Sequence, residues 1–167
     1  MRYNDEHLQI KILTRKNLDE VVEFLEEVRE LELDEDEIKD INDILVEGYS
    51  FAVYDNGVLY SVILMYEASF DGIQILFDEE PNALSVEPHI DYSYENLDVL
   101  ERVIFRNMNR IASQNGFEFL VIQLARTVRE IRDSPNDIVQ SIIRAGFKFI
   151  EAPDDVTIAF REVKSEE

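Results

Sequence analysis

The sequence feature that most constrains the fold is a tight turn between two runs of strand-forming residues. Residues 49–54 and 58–66 are rich in aromatic and β-branched side chains, and Asp55-Asn56-Gly57 separates them. An Asn-Gly pair adopts the left-handed backbone of a two-residue hairpin turn at little cost. The sequence therefore predicts two antiparallel strands that lie side by side in a sheet.

A strand and two helices are predicted before this hairpin. Residues 7–13 alternate apolar and polar side chains, which is typical of a strand. Apolar residues then recur at helical spacing in residues 18–31 and again in residues 38–45. Asn17 followed by Glu20 resembles a capping box, so the first helix is expected to begin there.

Strands and helices alternate after the hairpin. The pattern predicts helices at 97–111 and 138–143 and strands at 73–77, 83–87, 117–124, 147–150 and 156–160. Hairpins early in the chain and strand–helix–strand units late in it are typical of one mixed sheet with helices on its faces. We therefore expect an α/β fold with a single mixed central sheet of six to seven strands, flanked by about four helices.

Domain organisation is inferred from the length of the chain and from the absence of linker-like sequence. The chain has 167 residues, and no stretch rich in Pro, Gly or Ser marks a linker. The sequence predicts a single domain over residues 1–167, with its core at about 8–162 and a frayed end at 163–167.

The charge of the chain narrows the possible partners. There are 37 Asp and Glu against 16 Lys and Arg, a formal net charge of −21, which disfavours direct contact with nucleic acid or an anionic membrane surface. No Cys is present, so disulfides and thiolate metal sites are excluded. The N-terminal residues contain no apolar segment of a signal peptide, and we expect a cytoplasmic protein.

Three segments together resemble one protein family. ILTRKNLDEVV at residues 12–22 is similar to an opening strand and helix, LSVEP at 84–88 to a strand that enters a cofactor loop, and IIRAGF at 142–147 to a late helix end and strand start. In this order they resemble the GNAT superfamily of acyl-CoA-dependent N-acetyltransferases, over Ile10 to Phe160. The resemblance implies the GNAT fold and, in an active member, transfer of an acetyl group from acetyl-CoA to an amine.

The cofactor loop departs from that family's pattern. The resemblance assigns cofactor-binding positions to Val86, Pro88, Asp91, Tyr92, Tyr94 and Asn96. The family's basic residue falls on Asp91, and its glycines fall on Tyr92, Tyr94 and Asn96. Glycine lets backbone N–H groups close on a pyrophosphate, whereas a positive φ is costly for tyrosine. We therefore expect no bound cofactor, with acetyl-CoA as the cofactor if the protein is active.

Acidic side chains add to this departure. Asp91, Glu95, Asp98 and Glu101 are predicted to lie at the start of the long helix, in a stretch from Asp40 to Glu101 that contains no Lys or Arg. Carboxylates are stabilised at a helix N-terminus, where a phosphate would otherwise bind. The sequence predicts a loop closed to pyrophosphate.

Catalytic groups are the second point of departure. The resemblance places Ile142 where many members carry a tyrosine acid, and isoleucine has no proton to give. Glu87 and His89 remain candidate bases near the expected acyl position. Each also has a structural interpretation, as a strand-exposed acid and a packed histidine. No residue spacing indicates a metal site.

Two rows of arginines are candidates for binding an anion or an acidic partner. Arg126, Arg129 and Arg132 lie in the segment after the predicted strand at 117–124, and they could instead neutralise nearby carboxylates. Arg102, Arg106 and Arg110 follow one stripe of the long helix, which a solvated helix face also explains.

Three functional hypotheses remain open. The first is a GNAT-like domain with a degenerate acetyl-CoA site that serves as a non-catalytic binding or regulatory protein, with a basic protein or a small amine as partner. The second is a divergent but active N-acetyltransferase that holds acetyl-CoA through the backbone of residues 84–88. The third is an acidic decoy that mimics a nucleic-acid backbone.

Overall fold

The computed structural model describes residues 7–67, 82–124, 137–152 and 156–164. Within them it has seven strands and four α-helices, as predicted. In chain order these are β1 (Leu8–Ile12), α1 (Leu18–Arg29), α2 (Glu35–Glu47), β2 (Phe51–Asp55), β3 (Val58–Glu67), β4 (Ala83–Ile90), α3 (Leu97–Gln114), β5 (Phe119–Leu124), α4 (Asp137–Arg144), β6 (Lys148–Ala152) and β7 (Val156–Glu162). The strand predicted at 73–77 lies outside the described residues.

The described strands form one mixed sheet in the order β1-β2-β3-β4-β5-β7-β6. Strand β4 pairs with β5 in parallel from Ala83 opposite Phe119 to Ser85 opposite Val121. Strands β5 and β6 both pair with β7 in the antiparallel direction. The predicted fold class, a mixed sheet flanked by helices, is confirmed.

The β2–β3 hairpin forms at the predicted turn. Asp55 pairs with Val58, and Asn56 and Gly57 between them have φ of 52° and 80°. Two residues at positive φ are the hallmark of the turn that matches the twist of a hairpin. Further along, Val53 pairs with Ser61 but Tyr54 pairs with Leu59. Tyr60 is therefore the additional residue of a β-bulge, which bends a strand and redirects its polar groups.

The start of α1 differs from the prediction. The capping box is made by Thr14 and Asn17 around a short 3₁₀ turn, Arg15–Asn17. Asn17 makes no capping bond to α1, so the predicted pairing of Asn17 with Glu20 is wrong. The side chain of Asn17 is already bonded to the backbone N–H of Thr14, at 3.0 Å. The C-terminal stop of α2 is Gly48, at a φ of 85°.

Strand β4 is longer than predicted. It runs through Pro88 to Ile90, whereas the sequence indicated an end at Glu87. Proline lacks an N–H, but its fixed φ is compatible with extended backbone, so it need not end a strand. The extension places both Glu87 and His89 inside β4.

The chain divides into two compact units. The first consists of Met1–Tyr66 and Glu87–Ile104, and the second consists of Glu67–Val86 and Phe105–Glu167. A single domain over residues 1–167 stays a prediction.

In the first unit, α1 and α2 cover one face of β2 and β3. Their apolar stripes form a core with the strands, made of Leu13, Val21, Phe24, Leu25, Leu33, Ile41, Leu45, Ala52, Val62 and Leu64. Burying such side chains contributes roughly 1.5–3 kcal/mol each relative to exposure. Strand β1 ends the sheet order, and its Ile10 and Ile12 are 36% and 49% exposed.

In the second unit, a side chain of α3 fixes the segment after β7. The buried amide of Asn109 donates to the carbonyl oxygen of Lys164 at 3.0 Å and accepts from its N–H at 2.9 Å. A single side chain thereby satisfies both polar groups of one backbone residue. Val163 is also held, because its N–H donates to the carbonyl oxygen of Glu118.

Candidate functional site

The loop between β4 and α3, residues 91–96, forms a turn whose hydrogen bonds lie both within the loop and to strand β3. The N–H of Asp91 donates to the carbonyl oxygen of Tyr60 at 2.9 Å, and the N–H of Tyr94 donates to the carbonyl oxygen of Asp91 at 3.2 Å. The carboxylate of Asp91 accepts from the N–H of Ser93 at 3.0 Å and from its hydroxyl at 2.6 Å. Three amides of the loop therefore already have acceptors within the protein.

The side chain of Tyr94 ties this loop to the β2–β3 hairpin. Its hydroxyl donates to Oδ2 of Asp55 at 2.8 Å, and its ring centroid lies 4.6 Å from that of Tyr60. Burial, then the hydrogen bond to Asp55, raises the pKa of Tyr94 to about 12. Tyr92, by contrast, is 37% exposed.

The loop is built without left-handed residues. Among the described residues other than glycine, only Glu30 and Asn56 have positive φ. Glycines in phosphate-binding loops allow conformations in which successive N–H groups converge on an anion. In the turn at 91–94, the N–H groups of Asp91, Ser93 and Tyr94 instead donate to protein oxygens.

The four acids predicted at the start of α3 have different surroundings. Asp91 is half-buried and bonded to Ser93, and Asp98 is exposed in the first turn of the helix. Glu95 is exposed, whereas Glu101 is only 8% exposed. The exposed carboxylates of Glu95 and Asp98 would repel an approaching phosphate by their charge.

Glu87 and His89 lie two residues apart on β4 and therefore share a face of the strand. The hydroxyl of Tyr66 donates to Oε1 of Glu87 at 3.1 Å. Nε2 of His89 lies 3.9 Å from Oε2 of Glu87, close enough for an ion pair but too far for a hydrogen bond. This nitrogen is buried and has no hydrogen-bond partner among the described residues.

Glu87 is held in its ionised form. His89 lowers its pKa most, and Tyr66 and the charge of Arg29 add to the effect, while burial opposes it. Its side chain is 49% exposed, so solvent screens part of these interactions. The arrangement supplies an accessible carboxylate able to accept a proton or to pair with a cation.

We expect the Glu87 carboxyl to titrate below its usual value of 4.5. Its depressed pKa stabilises the fold above that value, and this contribution is lost as the pH falls through the folded-state value. Carbon-detected NMR titration of the side chain gives the midpoint directly. His89→Gln should raise the midpoint more than Tyr66→Phe does, and an unchanged midpoint in His89→Gln would show that the histidine does not perturb Glu87.

The other predicted site residues lie on strand β4 and on helices α3 and α4, or outside the described residues. Val86 is buried and Pro88 half-buried within β4, and Ile142 is fully buried on α4. Side chains of Arg102, Arg106 and Arg110 are all exposed on α3. Arg126, Arg129 and Arg132 lie outside the described residues.

Asp55, Tyr60 and Tyr66 were not identified as site residues from the sequence. The tyrosines were interpreted as strand-forming aromatics, and Asp55 as part of the turn. Their spacing from Tyr94 and Glu87 carries no local signal. The predicted hairpin could have indicated part of this arrangement, because its turn determines which residues of β2 and β3 pair, and so places Asp55 near Tyr60.

Within the ranges that the structure covers, no three His, Asp or Glu side chains are grouped as metal ligands. None of the helices described is both long enough and apolar enough to cross a membrane.

No protein-family model matches the sequence, and no curated protein matches it significantly. Solved structures do match, at low identity. A putative acetyltransferase of Salmonella typhimurium, solved with its cofactor acetyl-CoA, is 10% identical with a TM-score of 0.65, covering 96% of each chain. The Drosophila melanogaster polyamine N-acetyltransferase, which forms N-acetylagmatine, is 10% identical with a TM-score of 0.68, over 93% of this chain and 99% of that one. A GNAT-family acetyltransferase of Streptococcus pneumoniae is 13% identical with a TM-score of 0.65, over 94% and 99%.

These neighbours are acetyltransferases that share one architecture. The chain has the GNAT fold, and the resemblance inferred from residues 12–22, 84–88 and 142–147 is confirmed at the level of the fold.

Proposed function

We propose that this GNAT-fold protein does not use acetyl-CoA and serves as a non-catalytic binding or regulatory protein. The observation that carries the proposal is the engagement of three loop amides, those of Asp91, Ser93 and Tyr94, by acceptors of the protein itself. A pyrophosphate bound at this loop would need N–H groups that are free to turn toward it.

Energetics support this proposal. Each intramolecular hydrogen bond that must be broken costs about 0.5–1.5 kcal/mol, and four loop bonds together with the Tyr94–Asp55 bond hold the turn. The freed carboxylate of Asp91 would then stand beside the phosphates. Like charges repel. Binding of a pyrophosphate would therefore be opposed both by the cost of breaking the hydrogen bonds and by the charge of Asp91.

The ligand that suits the described surface is cationic. Acids greatly outnumber bases in α1 and α2, and Glu87 adds an accessible ionised carboxylate on β4. Positive potential on a basic protein or a small amine would complement this surface. We propose one of these as the bound partner, in a soluble cytoplasmic setting.

A thermal-shift titration with acetyl-CoA tests the proposal. A ligand that binds only the native state stabilises it by about 2.7 kcal/mol at 100 times its Kd, so the melting temperature of a true acetyl-CoA protein rises steadily. We expect no rise here up to millimolar acetyl-CoA. The Salmonella protein solved with acetyl-CoA is the positive control, and a concentration-dependent rise in this protein would contradict the proposal.

The second candidate, a divergent active N-acetyltransferase, is favoured by one observation. Glu87 is ionised and half-exposed beside His89, so it can accept a proton from an amine, but its lowered pKa makes it a weaker base than an ordinary glutamate. Release of free CoA in the presence of acetyl-CoA and agmatine would support it, particularly if Glu87→Gln abolished the release. No release above background supports the non-catalytic proposal.

A further inference from the structure

The end of strand β2 is held from two sides by tyrosine–carboxylate bonds. The hydroxyl of Tyr54 donates to the carboxylate of Glu20 on α1, and the carboxylate of the next residue, Asp55, accepts from Tyr94 in the loop. Consecutive strand residues point to opposite faces of a sheet. One short segment therefore connects α1 on one face with the 91–96 loop.

Tyr60 provides a third connection. It is the extra residue of β3 at the bulge, and its carbonyl oxygen accepts from the N–H of Asp91 at 2.9 Å. Its ring also packs against the ring of Tyr94.

We propose that Asp55, Tyr60 and Tyr94 form a latch that keeps the 91–96 loop closed, and that the Tyr54–Glu20 bond anchors this latch to α1. The proposal rests on the proposed function, because it describes the regulation of the same loop. A partner that displaces Glu20 from Tyr54 would therefore also loosen the 91–96 loop.

Amide hydrogen exchange measures the latch directly. The amides of Asp91, Ser93 and Tyr94 exchange only when their hydrogen bonds open. Tyr94→Phe removes the hydroxyl and keeps the ring, and Asp55→Ala removes the acceptor. Since one such bond is worth a factor of roughly five to ten in an opening equilibrium, we expect both variants to speed exchange of these amides by about that factor.

Tyr54→Phe tests the anchor, and Tyr66→Phe is its matched control. Both remove one tyrosine hydroxyl bonded to a glutamate: the hydroxyl of Tyr54 bonds to Glu20 on α1, and that of Tyr66 bonds to Glu87 on β4. We expect faster loop exchange in Tyr54→Phe, by a smaller factor than in Tyr94→Phe, and unchanged exchange in Tyr66→Phe.

Three results would overturn the inference. If the loop amides of Tyr94→Phe and Asp55→Ala exchanged as slowly as those of the unmodified protein, these residues would not form a latch. If the exchange rates of the loop amides were unchanged in Tyr54→Phe, the Tyr54–Glu20 bond would not anchor the latch. An equal increase in Tyr66→Phe would show general loosening of the sheet. Acetyl-CoA binding by the unmodified protein would overturn the proposed function while leaving these exchange rates as evidence on the latch.

Discussion

Leu64→Ala is expected to lower the free energy of unfolding by about 2–5 kcal/mol. Leu64 lies on β3 and is 1% exposed, within the core that α1 and α2 form on the sheet. The substitution removes buried apolar atoms and leaves a cavity that close-packed neighbours fill only partly. Chemical denaturation followed by circular dichroism gives the difference.

Val46→Ala is the matched control for this substitution. Val46 lies on α2 and is 62% exposed, so its truncation should change stability by less than about 0.5 kcal/mol. A loss below about 1 kcal/mol in Leu64→Ala would mean that Leu64 is not packed in a core of native density. Because β3 carries both Tyr60 and Tyr66, this core is also what supports the latch and the Glu87 face.

Asn109→Asp is expected to destabilise the second unit by about 2–4 kcal/mol. Asn109 is 8% exposed, and its amide both donates to and accepts from the backbone of Lys164. Aspartate keeps the shape but loses the donor, so a carboxylate faces the carbonyl oxygen of Lys164 in a buried position. Buried charges without a partner are strongly unfavourable.

The loss in Asn109→Asp should diminish as the pH falls toward the range in which a buried carboxyl is protonated, since the neutral acid can donate again. Gln114→Ala, at an exposed position of the same helix, should leave stability almost unchanged. Equal stability of Asn109→Asp and the unmodified protein at neutral pH would argue against a stabilising role for the two hydrogen bonds between Asn109 and the backbone of Lys164.

The elements that could be predicted are those with a local cause. The Asn56-Gly57 turn depends on backbone conformations that few residues adopt, so a few letters of sequence indicate it. The order of strands and helices then indicated the fold. Local signals also misled, because Thr14 competes for Asn17 as a capping partner and Pro88 is compatible with extended backbone.

The candidate site could be predicted only in part. The tyrosines at the glycine positions and the acid at Asp91 indicated a loop unsuited to pyrophosphate. The sequence does not indicate where the loop amides find acceptors, because the decisive contacts are distant in sequence. Tyr94 and Asp55 are 39 residues apart, and such a pairing arises only after the sheet has brought the hairpin and the loop together.

The exposed strand β1 gives the chain's large negative charge a role in preventing self-association. Among the described strands β1 lies at the edge of the sheet, and its exposed Ile10 and Ile12 offer apolar surface beside the backbone groups of that edge. Such an edge is a known route to aggregation. Lys11 between the two isoleucines blunts this edge. A net charge of −21 also keeps copies apart. Because salt screens that repulsion over about 10 Å at 0.1 M, we expect this protein to self-associate more readily as the ionic strength rises.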